Sequence, residues 1–228
     1  MKLSIILPTY NERKNIRKMI KQLSSLMKEV GIKYEIIVVD DNSPGGTGKI
    51  VKRIMKENKH IRLISRKEKK GLFSAVVDGI KHAKGEIICV MDADFSHPVK
   101  YVPLMLKEIK RGCDFVIGSR YIPGGKIIKW KKHRILMSKT ASLLAFPLTK
   151  VRDSVSGFFM VRKKCIDLRR LKPIGFKICL ELIIKGKYRK LKEIPIEFKD
   201  REEGESKLGV KEIFLFIYHL LRLLLWRI

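Results

Sequence analysis

Five short runs rich in β-branched and apolar residues recur through the first half of the chain, at Leu3–Leu7, Tyr34–Asp40, Ile61–Ile64, Ile87–Met91 and Phe115–Gly118, and each predicts a strand. Between them lie stretches with a helical period, as in Ile16, Ile20, Leu23 and Met27. These stretches predict helices over Asn15–Val30, Gly48–Asn58, Leu72–Ala83 and Val99–Arg111. Strands alternating with helices build an α/β fold around a mostly parallel, Rossmann-like central sheet with flanking helices.

After Arg120 the pattern changes to a loop rich in Gly and Lys, from Tyr121 to Lys132. The order that follows is an apolar helix near Ile135–Ala145, a strand at Gly157–Val161, a helix at Phe176–Lys185 and a strand within Tyr188–Phe198. The last segment, Lys211–Ile228, places Ile213, Phe214, Ile217, Leu220, Leu221, Leu224, Leu225 and Ile228 close to one helical stripe. It carries His219, Arg222 and Arg227, and its apolar run is shorter than the roughly 20 residues of a bilayer span. The expectation is a C-terminal amphipathic helix, 211–228, lying in a membrane interface beside a single α/β domain of residues 1–210. An ordinary core helix is the alternative.

The chain has 228 residues, 45% of them hydrophobic, with 51 Lys and Arg against 23 Asp and Glu and a formal charge of +28. Such a charge calls for anionic partners, whether nucleic acid, phosphorylated metabolites or an anionic membrane surface. Lys126 to Lys139 holds six Lys or Arg, no acid, and Trp130, just ahead of the apolar stretch Ile135–Leu148. That composition suits a membrane-surface element, with a solvated loop and a core helix as the alternative. The four cysteines form no Cys-x-x-Cys pair and read as buried thiols. The N-terminal apolar run is too short for a signal peptide, so the expected location is peripheral, on the cytoplasmic face of the cell membrane.

Candidate chemistry sits where two predicted strands end. Asp40 and Asp41 close one run, and Asp92 and Asp94 follow another. Ligands of open α/β sheets bind outside these carboxyl ends. Four carboxylates in one crevice would repel one another unless a cation or ligand donors held them, and oxygen ligands of this kind suit Mg²⁺ or Mn²⁺ with substrate phosphates completing the shell. The stretch Ser43-Pro44-Gly45-Gly46-Thr47-Gly48-Lys49 lacks the Gly spacing of a phosphate-binding Walker loop, and a turn ahead of a helix explains it better.

Pro8-Thr9-Tyr10-Asn11-Glu12, Val38-Val39-Asp40-Asp41-Asn42-Ser43-Pro44 and Met91-Asp92-Ala93-Asp94-Phe95-Ser96-His97-Pro98 together resemble the family 2 glycosyltransferases with a GT-A fold. Gly118-Ser119-Arg120-Tyr121, Ser156-Gly157-Phe158-Phe159, Gly175-Phe176-Lys177 and Gly204-Glu205-Ser206-Lys207-Leu208 narrow the resemblance to the dolichyl-phosphate mannose synthases. It implies an inverting transfer of mannose from GDP-mannose to a dolichyl or other polyprenyl phosphate. UDP-glucose or another nucleotide sugar, with a lipid-phosphate or polysaccharide acceptor, is the alternative.

The resemblance implies that Pro8, Tyr10, Glu12, Val39 and Asp41 line the pocket for base and ribose, with Asp92, Ala93, Arg120, Arg201 and Lys207 also on the nucleotide sugar. Asp92, Asp94 and Ser96 are the implied metal ligands, and Asp94, Arg120 and Arg134 the implied catalytic residues. A phosphate acceptor is already ionised, so no catalytic base is assigned, and His97 and His133 read as structural. Some relatives append transmembrane segments, which leaves room for a separate membrane-anchoring subunit. A nucleic-acid partner is not expected, because that reading rests on charge alone and leaves the strand-end aspartates unexplained.

Overall fold

The computed structural model describes residues 1–172, 174–175, 177–200 and 210–227, with the backbone alone for 210–212 and 227. Strand β1 (Lys2–Thr9) leads through α1 (Ile16–Glu29) to β2 (Lys33–Asp40), α2 (Thr47–Glu57), β3 (Ile61–Ser65), α3 (Leu72–His82), β4 (Ile87–Val90), α4 (Tyr101–Lys110) and β5 (Phe115–Ser119). Then come β6 (Lys126–Ile128), α5 (Lys132–Thr149), β7 (Phe159–Arg162), α6 (Ile178–Lys185), β8 (Leu191–Pro195), β9 (Glu197–Lys199) and α7 (Val210–Arg227).

Seven strands form the main sheet in the order β3-β2-β1-β4-β7-β5-β8. All neighbours are parallel except β7, which runs antiparallel to β4 and β5. The expected mostly parallel sheet is therefore observed, and the order turns back between β1 and β4, where α/β sheets open a ligand crevice. Side chains alternate across β1: Leu3, Ile5 and Leu7 join one core layer with α1 and α4, and Ile6 joins the other with α3 and α6. Gly79 lets α3 press onto β1, since a Cβ there would lie 2.6 Å from the Ile6 side chain.

Glu35 is the one acid within the buried start of this sheet. Its carboxylate accepts from Ser4 Oγ at 2.7 Å, Lys84 N–H at 2.6 Å and Arg62 at 2.9 Å. Burial opposes its charge, but these donors outweigh burial and hold the carboxyl below its usual range.

The region after Arg120 departs most from the expected pattern. The predicted strand within Tyr188–Phe198 breaks into β8 and β9, and β9 leaves the main sheet to pair with β6, a strand inside the predicted loop. Only three residues form β6, too few to show a period of two. Helix α5 extends past Ala145 to Thr149 and buries only Ser142 and Ala145, so it is not a core helix. Leu136, Leu143, Leu144 and Phe146 stay exposed along it.

Helix α7 buries His219 and Leu223, with Phe216 and Leu220 packed against Leu180 of α6 and Ala145 of α5. The predicted stripe is thus split. Leu220 faces the protein, while Phe214, Ile217, Leu221, Leu224 and Leu225 remain exposed. Ile228 lies outside the described residues. Among the described residues no helix is long and apolar enough to cross a membrane. All four cysteines are buried free thiols.

Candidate active site

Three loops at the carboxyl ends of neighbouring strands pass through left-handed backbone, at Asn11 after β1, Asn42 after β2 and Phe95 after β4. Asn tolerates this conformation; Phe pays for it, and such strain gathers at functional sites. The first two loops are laced together. Asn11 N–H donates to Ser43 Oγ at 2.8 Å, Ser43 Oγ donates to Asp40 at 2.6 Å, and Gly45 N–H reaches Asn11 Oδ1 at 3.3 Å. Gly46, at φ 81°, then precedes α2, so the Gly-rich stretch is the turn its spacing suggested.

Asp41 is 4% exposed and accepts the N–H groups of Lys70 and Gly71 at 2.9 and 2.8 Å, with the buried Arg66 guanidinium at 3.0 Å. Asp40 is held by Ser43 and Thr9. The strand-end pair after β2 is therefore held by the protein's own donors, which corrects the expectation that these two acids need a cation or a ligand to hold them. Pro8 and Val39 are partners across β1 and β2, with the Val39 side chain fully inside the core. Its main chain is no more open, because β2 is paired on both sides there and the Val39 carbonyl accepts from Thr9 Oγ at 3.3 Å. Tyr10 carries the Lys69 ammonium 3.8 Å above its ring, and Glu12 accepts from Asn15 at the start of α1.

Beyond β4 the acids are arranged differently. Asp94 is 7% exposed, and its Oδ1 accepts both the Ser96 N–H (3.0 Å) and the Ser96 hydroxyl (2.6 Å). Asp92 is about one-third exposed, with Ala93 buried between the two. His97 accepts the Asp92 N–H on Nδ1 at 3.2 Å and packs between Phe158 and Phe198. Burial, reinforced by Arg120 and opposed by Asp94, pushes the imidazole down to about 4, so it is neutral and structural as expected. Gly157 leaves room here, because a Cβ would stand 3.3 Å from both Asp92 and His97.

Arg120 follows β5 and is 8% exposed. Its guanidinium makes a two-pronged bond to Asp153, at 2.8 and 2.7 Å, and its N–H donates to the same carboxylate at 2.9 Å. Burial opposes the charge, yet Asp153 holds the guanidinium fully protonated. The rings of Tyr121, Trp130 and Phe198 surround it at 5.0 to 5.5 Å. Arg134, on α5, lies 4.6 Å from the Trp130 ring and pairs with Asp200 at 2.8 Å. Both predicted arginines thus meet at Trp130, brought there by the β6–β9 pairing. Arg201 and Lys207 lie outside the described residues.

Two residues here carry no role in the sequence reading. Asp153 is fully buried, and its signal is being the sole acid between Asp114 and Asp167. Lys177 precedes α6 within electrostatic reach of Arg120, Asp153 and Asp92. Burial and then Arg120 depress its ammonium to about 7. A charged group so depressed gains most from an added anion.

Among the described residues no three His, Cys, Asp or Glu converge as a metal cage. Asp92, Asp94 and Ser96 nevertheless supply hard oxygen atoms on one turn, which fits an ion of the Mg²⁺ type that takes one or two carboxylates and completes its shell with water and substrate phosphate. The rim therefore carries acids after β4 and, after β5 and ahead of α6, the basic side chains of Arg120, paired with Asp153, and Lys177, whose charge an incoming anion would restore. An anion with a bound cation matches both halves.

The sequence profile described as glycosyl transferase family 2 matches residues 4–169. A dolichol-phosphate mannosyltransferase of Pyrococcus furiosus is 44% identical over 99% of the chain, which spans 64% of that relative's length. Those of Mycosarcoma maydis and Saccharomyces cerevisiae are each 37% identical over 98% of the chain, which covers 79% and 87% of them. Among solved structures, glucosyl-3-phosphoglycerate synthase of Mycobacterium tuberculosis, in complex with Mn²⁺, UDP and glucosyl-3-phosphoglycerate, superposes with a TM-score of 0.67 at 19% identity, over 99% of this chain and 79% of that one. That likeness establishes the GT-A fold. With the matches spanning nearly every residue, this chain belongs to glycosyl transferase family 2, in its dolichol-phosphate mannosyltransferase branch.

Proposed function

We propose that this chain transfers mannose from GDP-mannose to the phosphate of a dolichyl or other polyprenyl lipid, with inversion, at a membrane surface. The observation that carries the reading is the division of one rim into an acidic turn, Asp92–Ser96, and a cationic wall built on Arg120 and Lys177. In the transfer, a lone pair of the lipid phosphate oxygen forms the new bond to the anomeric carbon. The bond from that carbon to the diphosphate breaks, and its electron pair leaves on the β-phosphate oxygen.

Both reactants are anions, and their repulsion grows as water is excluded. Arg120 and Arg134, ordered by Asp153, Asp200 and Trp130, offset it on the acceptor side, and Lys177 adds a charge next to them. Asp92 and Asp94, with Ser96, would hold Mg²⁺ or Mn²⁺, which supplies Lewis-acid stabilisation of the departing diphosphate. Tyr10, Glu12 and Asp41 would receive base and ribose, with Pro8, Val39 and Ala93 forming the buried floor beneath them. Arg201 and Lys207 complete the proposed donor set. The test is transfer of radiolabel from GDP-mannose and, separately, UDP-glucose to polyprenyl phosphate. Mannose alone should appear in the lipid fraction; glucose transfer at an equal rate would overturn the donor assignment.

The exposed apolar residues of α5 and α7, beside the basic segment 126–139, support peripheral attachment to anionic lipid. Converting Leu221 and Leu225 to Glu together should lower partition onto anionic vesicles at least tenfold, since each buried side chain contributes about 1.5–3 kcal/mol. Leu104→Glu, on α4, should leave it unchanged. Sedimentation with vesicles checks both, and equal binding by all variants would reject the attachment face.

A further inference from the structure

Glu181 lies on α6, outside the rim, and is fully buried. Its carboxylate is the meeting point of two segments that are otherwise separate in sequence. On one side it accepts the backbone N–H of Lys172 at 2.9 Å, and it pairs closely with Lys185, whose ammonium also donates to the Arg170 carbonyl at 2.9 Å. On the other side it receives His219 Nε2 at 3.0 Å and Arg222 at 3.2 Å, both from α7. The Lys185 ammonium also sits 5.7 Å from the Trp226 ring of the same helix.

A buried carboxylate is costly unless paired, and here burial is outweighed by bonds from His219, Lys185 and Lys172, which keep it ionised. An apolar contact would have sufficed to seat α7, since Leu223 and Leu220 already pack on Leu180. Charge adds fixed geometry at both ends. One end is α7, with its exposed apolar face; the other is the start of α6, where Lys177 stands at the N-cap one turn before Glu181.

We propose that Glu181 is a positioning residue that ties the placement of α7 to the placement of Lys177, so that seating α7 on a lipid surface presents the cationic wall to the lipid phosphate. The inference rests on the function proposed above for its acceptor. Removing the carboxylate frees both segments together. Among the described residues the donor side, built on β1, β2 and β4, shares no bond with Glu181.

Hydrogen exchange tests the link without any activity, and kinetics test its consequence. In Glu181→Gln, peptides covering 168–177 and 213–226 should both exchange about tenfold faster, the loss expected for charge-assisted bonds. The KM for polyprenyl phosphate should rise about tenfold by the same measure, while the Kd for GDP-mannose holds. His219→Gln and Arg222→Gln, milder changes made from the α7 side, should still speed exchange at 168–177.

Faster exchange confined to 213–226 would overturn the proposal. So would a parallel loss of donor and acceptor affinity with a lowered Tm, which is what general destabilisation produces. If the unaltered protein transfers no mannose, the proposed function fails, and the exchange result still decides whether Glu181 links the two segments.

Discussion

Asp94→Asn is expected to reduce mannose transfer about a thousandfold, the scale on which a preorganised charge acts at a departing oxyanion. The protein should stay folded. Asp94 Oδ1 accepts two bonds from Ser96, and an amide oxygen in the same place can accept both. What disappears is the negative charge that would hold the proposed metal. Turnover at saturating Mg²⁺ or Mn²⁺, with the thermal midpoint measured in parallel, separates the two effects. Unchanged turnover would remove the metal from the proposed chemistry.

Asp153→Ala should be the most destabilising single change at the rim, by about 3–5 kcal/mol, because it strands a buried guanidinium and removes the acceptor for three bonds. Replacing the pair together, Arg120→Met with Asp153→Leu, should restore most of the lost denaturation midpoint, as buried ion pairs exchanged for apolar residues commonly do. Transfer should remain lost in the double variant. Recovery of both stability and turnover would show that the pair serves packing alone.

Of the two proposed halves of the site, the donor half is legible in the sequence because its signals are local. Each of the first five predicted strands appears within a residue or two of its expected ends, and Asp92, Asp94 and Ser96 fall on one turn that the spacing already implies. The acceptor half is not. Arg120, Trp130, Arg134, Phe198 and Asp200 meet only because β6 pairs with β9 across some 70 residues, through strands too short to carry a pattern. Asp41 shows the opposite error. Its position at a strand end was plain, but the N–H groups of Lys70 and Gly71 that satisfy it come from a turn about 30 residues away. His219 misleads similarly: it interrupts an apolar run in sequence, yet it is buried because Glu181 waits on the neighbouring helix.

The reversed strand β7 has a consequence for how the molecule comes into being. It sits between β4 and β5, pairing Ile87 with Arg162 and Phe115 with Val161, so the middle of the sheet can close only after distant chain has been made. A nascent chain emerging from the ribosome can assemble β1 to β4 from consecutive units. Until Arg162 has followed, it presents an open hydrophobic seam and an unfixed Arg120. The strands carrying the proposed nucleotide site are thus finished early in synthesis, and those carrying the proposed lipid-phosphate site are finished last.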